Sequence, residues 1–384
     1  MVGAPGPPRQ GDAVQHDVTS AIEQANEADS KLTIKPQGSL AIITLNRPRA
    51  LNALNRAMRA QLTQAFPRFA RDPHIHAVTI QSASPKAFSA GGDVRELIKL
   101  RREEPEQARR AFAKEHSLNW LLECFSKPTI SLINGPVMGS GVGITAYGTH
   151  RVGSEGYRFA MPETAIGLFP GFGTSYTFAR FPDEIGMYLG LTARAIGAAD
   201  AYALGLLTHC IPTARFEEIK TALIDTRPVD PLLDERHVDP GPGELEPYAS
   251  LIARCFSAPT VEAIIERLSE VLSKDREWAQ GVIADLKSRS PLSLKVTYRH
   301  IRAARKLDLR QTLQLDCRLA CRLLEGHDFA EGVRAALIDK DGSPRWQPGR
   351  LEDITSAMVD EVFAPMGADE LILPTREQMQ AARV

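Results

Sequence analysis

Along the N-terminal half of the chain, apolar β-branched runs repeatedly give way to a short turn and then to a helix-forming stretch, and this order restricts the fold more than any other feature. The run SLAIITL (Ser39 to Leu45) is followed by Asn46-Arg47-Pro48 and an amphipathic stretch from about Leu51 to Ala70, which predicts a strand and then a helix. A second strand, Ala77 to Gln81, leads into Ala87-Phe88-Ser89-Ala90-Gly91-Gly92-Asp93, with helices predicted around Val94 to Arg102 and Glu106 to Cys124. A third, Thr129 to Leu132, opens the glycine-rich NGPVMGSGVG, Asn134 to Gly143. Alternation of this kind predicts an α/β fold whose ligand sites sit where strands hand over to helices, because the first backbone N–H groups of a helix have no partner within it.

The 384 residues, 43% of them hydrophobic, can bury the core of one large domain or of a main domain with an appendage. Basic and acidic residues balance, 46 against 47, and no long basic run is present to follow a nucleic-acid backbone or an anionic membrane. An anionic ligand must then be held by local groups. Met1 to about Ser30 reads as a loose tail, core-like patterning occupies 31–225, the Pro- and Asp-rich 226–247 reads as a loop or linker, and 248–384 is helical in pattern. No apolar stretch approaches the roughly 20 residues of a membrane span, so a soluble, cytoplasmic protein is expected. The cysteines are odd in number and scattered; Cys317 and Cys321 lie one helical turn apart but read as buried helix residues, and no metal site is assigned.

Three segments carry possible chemistry. The turns around Gly92 and Ser140 each follow a strand and open a helix, and two converging N–H groups would form an oxyanion hole, stabilising charge on a carbonyl oxygen. The third, FAMPETAIGLFPG (Phe159 to Gly171), sets the single carboxylate Glu163 in an apolar stretch, where a raised pKa would suit proton transfer. Each has a plainer reading. The glycines also serve tight turns, Glu115 on its charged helix reads as a solvated carboxylate, and Arg49 reads as a surface side chain. Asp93 reads as a helix cap, His327 and Asp328 as a turn and cap, and His116 and His150 as packed or exposed rings.

In order, NRPRALNAL (Asn46 to Leu54), AFSAGGD, NGPVMGSGVG and FAMPETAIGLFP resemble the crotonase superfamily. The resemblance implies a crotonase, ClpP-like ββα spiral fold with a helical C-terminal region, and a substrate that is an acyl-coenzyme A thioester. Coenzyme A is then part of the substrate, with no separate cofactor. It also implies oxyanion donors at Gly92 and Ser140, the latter where glycine is usual. Contacts to the nucleotide and pantetheine arm would fall to Arg49, Ala50, Leu51 and Ala90, and assembly as trimers or pairs of trimers would follow.

From Ser290 to Trp346, and most sharply in GHDFAEGVRAALIDKD, the chain is similar to the 3-hydroxyisobutyryl-CoA hydrolase branch, which serves valine catabolism. That branch implies substrate-site positions at Glu115, Ser140, Glu163 and Gly171, where relatives carry an aspartate at the last. The first of the two glutamates used by hydratases falls on Gly143, leaving Glu163 alone. The expected function is hydrolysis of a short branched or hydroxylated acyl-CoA, with Glu163 as base or nucleophile. The alternatives are an enoyl-CoA isomerase or hydratase, and a catalytically weak acyl-CoA-binding protein.

Overall fold

The computed structural model describes residues 32–384, and the expected tail over 1–30 lies outside them. Eight strands are present among the described residues: β1 (Leu32–Gln37), β2 (Leu40–Leu45), β3 (Ala77–Ser82), β4 (Thr129–Ile133), β5 (Pro136–Met138), β6 (His150–Gly153), β7 (Arg158–Ala160) and β8 (His209–Cys210). Six form one sheet in the order β1-β2-β3-β4-β6-β8, while β5 and β7 pair separately. Only β1 and β2 are antiparallel; every other pair is parallel. This is why β2 and β4 read as continuous apolar runs: parallel strands are covered on both faces, and β4 is buried along its whole length.

The helix Arg56–Arg71 starts later than its amphipathic pattern suggests. Pro48–Ala50 form a 3-10 turn, Leu51 and Asn52 take positive φ of 48° and 55°, and only then does Asn55 cap the helix by accepting from the N–H of Met58 at 2.9 Å. Met58, Leu62, Ala65, Phe66 and Phe69 form its buried stripe. The helix Pro105–Cys124 begins amphipathic and ends buried nearly all round, because the C-terminal helix Leu309–Glu325 covers its outer side, with Leu313 against Trp120 and Cys124.

Within 226–247, expected as a loop or linker, Val229–Asp234 form a helix whose Leu232 and Leu233 are wholly buried against the sheet. His150 on β6 and His209 on β8 pair with Asp230 and Asp234, at 2.8 and 3.0 Å, and so clip that helix to the sheet end. The pattern missed it because six residues are too short to show a 3.6-residue period.

The helical C-terminal region shares the main core: Ile252, Phe256, Leu286 and Ile301 belong to the same cluster as Ile43, Phe66 and Val78. Cys317 and Cys321 are buried helix residues in a second cluster. Among the described residues, no helix is long and apolar enough to cross a membrane.

Candidate active site

The two glycine turns meet because the chain segments leading into them pair like strands. Phe88 and Ser89 donate to the carbonyl of Pro136 at 2.9 and 3.1 Å, and Met138 donates back to Ser89 at 3.0 Å. Both chains then turn, through Gly91 at φ 102° and Gly139 at φ 47°. A Cβ at Gly91 would lie 3.3 Å from the Met138 carbonyl oxygen, and one at Gly92 would lie 2.8 Å from Ser140 Oγ, so the close approach requires glycine. The N–H groups of Gly92 and Ser140 have no acceptor among the described residues. The two residues lie in touching turns, since the Cβ position of Gly92 falls beside Ser140 Oγ.

Asp93 caps the next helix as expected, accepting from the N–H of Glu96 at 3.1 Å, and also pairs with Arg47 at 2.6 Å. That pair fastens the loop carrying Arg49, Ala50 and Leu51 to the first turn, as does the 2.9 Å bond from the N–H of Ala90 to Leu51 O. Arg49, Leu51 and Ala90 are exposed and Ala50 is half-buried, so all four line the surface beside Gly92.

Glu163 opens a 3-10 turn, Glu163–Ile166, closed by Gly167 at φ 74°. Its carboxyl points at the second glycine turn: a Cβ at Gly139 would stand 2.9 Å from Glu163 Oε1. Oε2 is buried and has no hydrogen-bond partner among the described residues. Burial, reinforced by the nearby Glu115 carboxylate, pushes the Glu163 carboxyl up to about 8. A carboxyl with that affinity for protons is poised for acid–base or nucleophilic work near neutral pH.

The segment that most resembled the hydrolase branch lies behind this turn. A Cβ at Gly167 would come within 2.4 Å of the Asp328 carbonyl carbon, and one at Gly332 within 2.5 Å of Ile166 Cα, so the helix His327–Val333 seats directly on it. Asp328 is not a cap. Its buried carboxylate accepts from Ser290 Oγ at 2.5 Å and the N–H of Gln347 at 2.9 Å, while Ser290 donates its own N–H to Thr164 O. The motif therefore braces Glu163 from outside the reacting space.

Glu115 is 5% exposed, which corrects its reading as a solvated carboxylate. It pairs with Arg59 at 3.1 Å, and the Arg59 guanidinium reaches within 3.0 Å of a Cβ position at Gly92. Gly171 is buried, yet a Cβ there would meet only Phe169 at 3.8 Å, ordinary van der Waals contact. Asn119 fills the space a side chain at Gly143 would need: a Cβ there would lie 2.8 Å from Asn119 Nδ2 and 3.2 Å from Phe172 Cβ. Arg59, Asn119 and Phe172 carry no signal in the sequence, since nothing in their spacing separates them from ordinary helix and loop residues, and His116 reads there only as a packed or exposed ring.

Phe172 holds a positive φ of 60°, uncommon for a bulky residue. Tyr147 donates to its carbonyl, and the following N–H, of Gly173, donates to Asp316 at 2.6 Å. A surface cavity of about 630 Å³ beside Trp120, Arg310 and Arg376 contains none of the residues expected at the site. The described residues contain no group of His, Cys, Asp or Glu arranged to hold a metal.

Residues 40–363 match the model of the enoyl-CoA hydratase/isomerase family. The chain is 37% identical to the 3-hydroxyisobutyryl-CoA hydrolase 1 of Arabidopsis thaliana, covering 94% of this chain and 98% of that one. It is 34% identical to the mitochondrial 3-hydroxyisobutyryl-CoA hydrolase of Danio rerio, over 91% and 93% of the two chains. Among solved structures it superposes on a carnitinyl-CoA dehydratase from Mycobacterium thermoresistibile with a TM-score of 0.84 and 32% identity, covering 90% and 99%. An enoyl-CoA hydratase from Rhodobacter sphaeroides gives 0.83 and 33%, over 90% and 100%.

Proposed function

The chain belongs to the enoyl-CoA hydratase/isomerase family, and from that premise we propose that it hydrolyses the thioester of a short branched or hydroxylated acyl-CoA, such as 3-hydroxyisobutyryl-CoA. The observation that carries this reading is a buried carboxyl, Glu163, whose Oε1 lies against the Gly139 turn that leads to Ser140, with Gly92 packed beside Ser140 Oγ. The thioester oxygen binds to the N–H groups of Gly92 and Ser140, and negative charge grows there as the acyl carbon is attacked. Glu163 either takes a proton from the attacking water or attacks the acyl carbon itself to give an anhydride that water cleaves. In both routes the bond to sulfur breaks and coenzyme A leaves as a thiol.

The two solved structures that the chain superposes on are a dehydratase and a hydratase. Water addition across a double bond commonly uses a second carboxylate, and at the expected position, Gly143, the space is taken by Asn119 and Phe172. That favours hydrolysis over hydration. Around the thioester, we assign Glu115 to positioning through Arg59, Gly171 to the acyl pocket wall, and Arg49, Ala50, Leu51 and Ala90 to the coenzyme A arm, with coenzyme A part of the substrate and no separate cofactor.

All five cysteines are buried and unpaired, which suits a reducing compartment such as the cytoplasm. A trimer or hexamer is the assembly the family suggests, and light scattering after gel filtration reads it. The activity is tested by mixing the protein with 3-hydroxyisobutyryl-CoA, 3-hydroxypropionyl-CoA, crotonyl-CoA and a 3-enoyl-CoA while following free thiol and product mass. Thiol release from the hydroxyacyl thioesters is expected. Hydrated or isomerised thioester without thiol would reject the reading.

A further inference from the structure

The inner face of the helix Pro105–Cys124 carries three buried polar side chains, Glu115, His116 and Asn119. Glu115 has its partner in Arg59. The other two are each half satisfied. His116 is 1% exposed, and its Nδ1 lies 2.8 Å from the carbonyl oxygen of Phe112. A carbonyl only accepts, so Nδ1 carries the proton, and in the neutral ring Nε2 is an acceptor. That Nε2 is buried with no partner among the described residues. Asn119 is 2% exposed, and its Nδ2 donates to Gly143 O at 2.9 Å, which fixes the amide orientation and leaves Oδ1 as a second buried acceptor with no partner among the described residues.

Both atoms belong to one wall. His116 and Asn119 stand three residues apart, on the same side of the helix. The His116 ring stacks on Phe172 with centroids 5.7 Å apart, and the Cβ position of Gly143 lies within 3.2 Å of both Phe172 and Asn119. A buried acceptor left without a donor is costly, and two on one helix face against the Gly143 turn point to a ligand that brings the donor. The thioester carbonyl brings only acceptors. A hydroxyl on the acyl chain brings a donor, as does the attacking water, and only the hydroxyl makes the interaction depend on the acyl group.

We infer that His116 Nε2, with Asn119 Oδ1 beside it, accepts the hydrogen bond of an acyl-chain hydroxyl and so sets a preference for hydroxylated over plain acyl thioesters. The inference deepens the hydrolase reading and rests on it for the step that follows binding. It also accounts for Gly171: the residue preceding Phe172 has no side-chain acceptor, and the helix wall behind Phe172 supplies one instead.

The test compares 3-hydroxyisobutyryl-CoA with isobutyryl-CoA in two readouts, kcat/KM from thiol release and Kd from calorimetry. The unaltered enzyme is expected to favour the hydroxylated thioester at least tenfold. His116→Phe, which keeps the ring stack, is expected to lower that ratio tenfold or more, and His116→Gln, which keeps an acceptor, to retain most of it. Adding Gly171→Asp to His116→Phe is expected to restore the preference, since a Cβ at this position meets no close contact and the carboxylate supplies an acceptor. If His116→Phe does not fold, His116→Met supplies the same loss with a more adaptable side chain. An equal ratio in the enzyme and in a folded His116→Phe or His116→Met variant overturns the inference, as does an enzyme with no preference at all. Should neither thioester release thiol, the hydrolase reading fails while the Kd ratio still decides this one.

Discussion

Asp316, on a C-terminal helix, accepts a 2.6 Å hydrogen bond from the backbone N–H of Gly173, in the loop that follows Glu163. Its other oxygen lies 2.5 Å from His300 Nε2, and both side chains are wholly buried. The helical C-terminal region therefore holds the loop that follows Glu163 by a polar link. Because the carboxylate is out of water, its two partners supply what hydration would.

His300→Leu leaves the Asp316 carboxylate buried without its ring partner. Removing one member of a buried pair costs about 3–5 kcal/mol, so the urea midpoint is expected to fall with little change in slope. Thiol release is expected to fall as well, because the Gly173 link weakens. An unchanged midpoint would mean that the pair contributes nothing to stability.

Glu163→Gln preserves the shape of the side chain and removes its basicity. Turnover is expected to drop by about 100-fold or more, the usual range for a general base, while calorimetry shows the acyl-CoA still binding. Thiol release within a few-fold of the unaltered rate would reject Glu163 as base or nucleophile.

The pH dependence of activity and stability should run in opposite directions. Burial raises the Glu163 carboxyl from 4.5 to about 8, so kcat/KM is expected to climb with pH and level off above about 8, as the carboxylate becomes populated. Below 4.5 the group is protonated in both folded and unfolded chains. Between 4.5 and 8 only the unfolded chain ionises, so native stability is lost as pH rises through that window, by a few kcal/mol in total. Denaturant titrations of Glu163→Gln are expected to lack this loss; parallel pH curves for the two proteins would contradict the assignment.

Gly143→Glu is expected not to create a hydratase. A Cβ there would lie 2.8 Å from Asn119 Nδ2 and 3.2 Å from Phe172 Cβ, and forcing a side chain into such a space costs about 1–3 kcal/mol. The variant should melt lower and leave crotonyl-CoA unhydrated by mass spectrometry. A stable variant that adds water would show that the space is more adaptable than Asn119 and Phe172 imply.

Local pattern alone determined the alternation of strand, turn and helix, the two glycine turns and the carboxylate in an apolar run, since backbone conformation and hydrophobic periodicity are properties of neighbouring residues. It therefore singled out the turns around Gly92 and Ser140 and the carboxylate of Glu163, while the two donor positions came from the family resemblance, and it assigned Asp93 its capping role. It could not show that Glu115 is buried, because the charged first half of its helix is amphipathic and the covering helix Leu309–Glu325 comes from far along the chain. Nor could it show that Asp328 braces the Glu163 turn, that Asn119 occupies the space beside Gly143, or that His116 stacks on Phe172. Those facts depend on which distant segments meet, and burial, which decides whether a polar group is solvated, paired or left seeking a ligand, exists only once they have met.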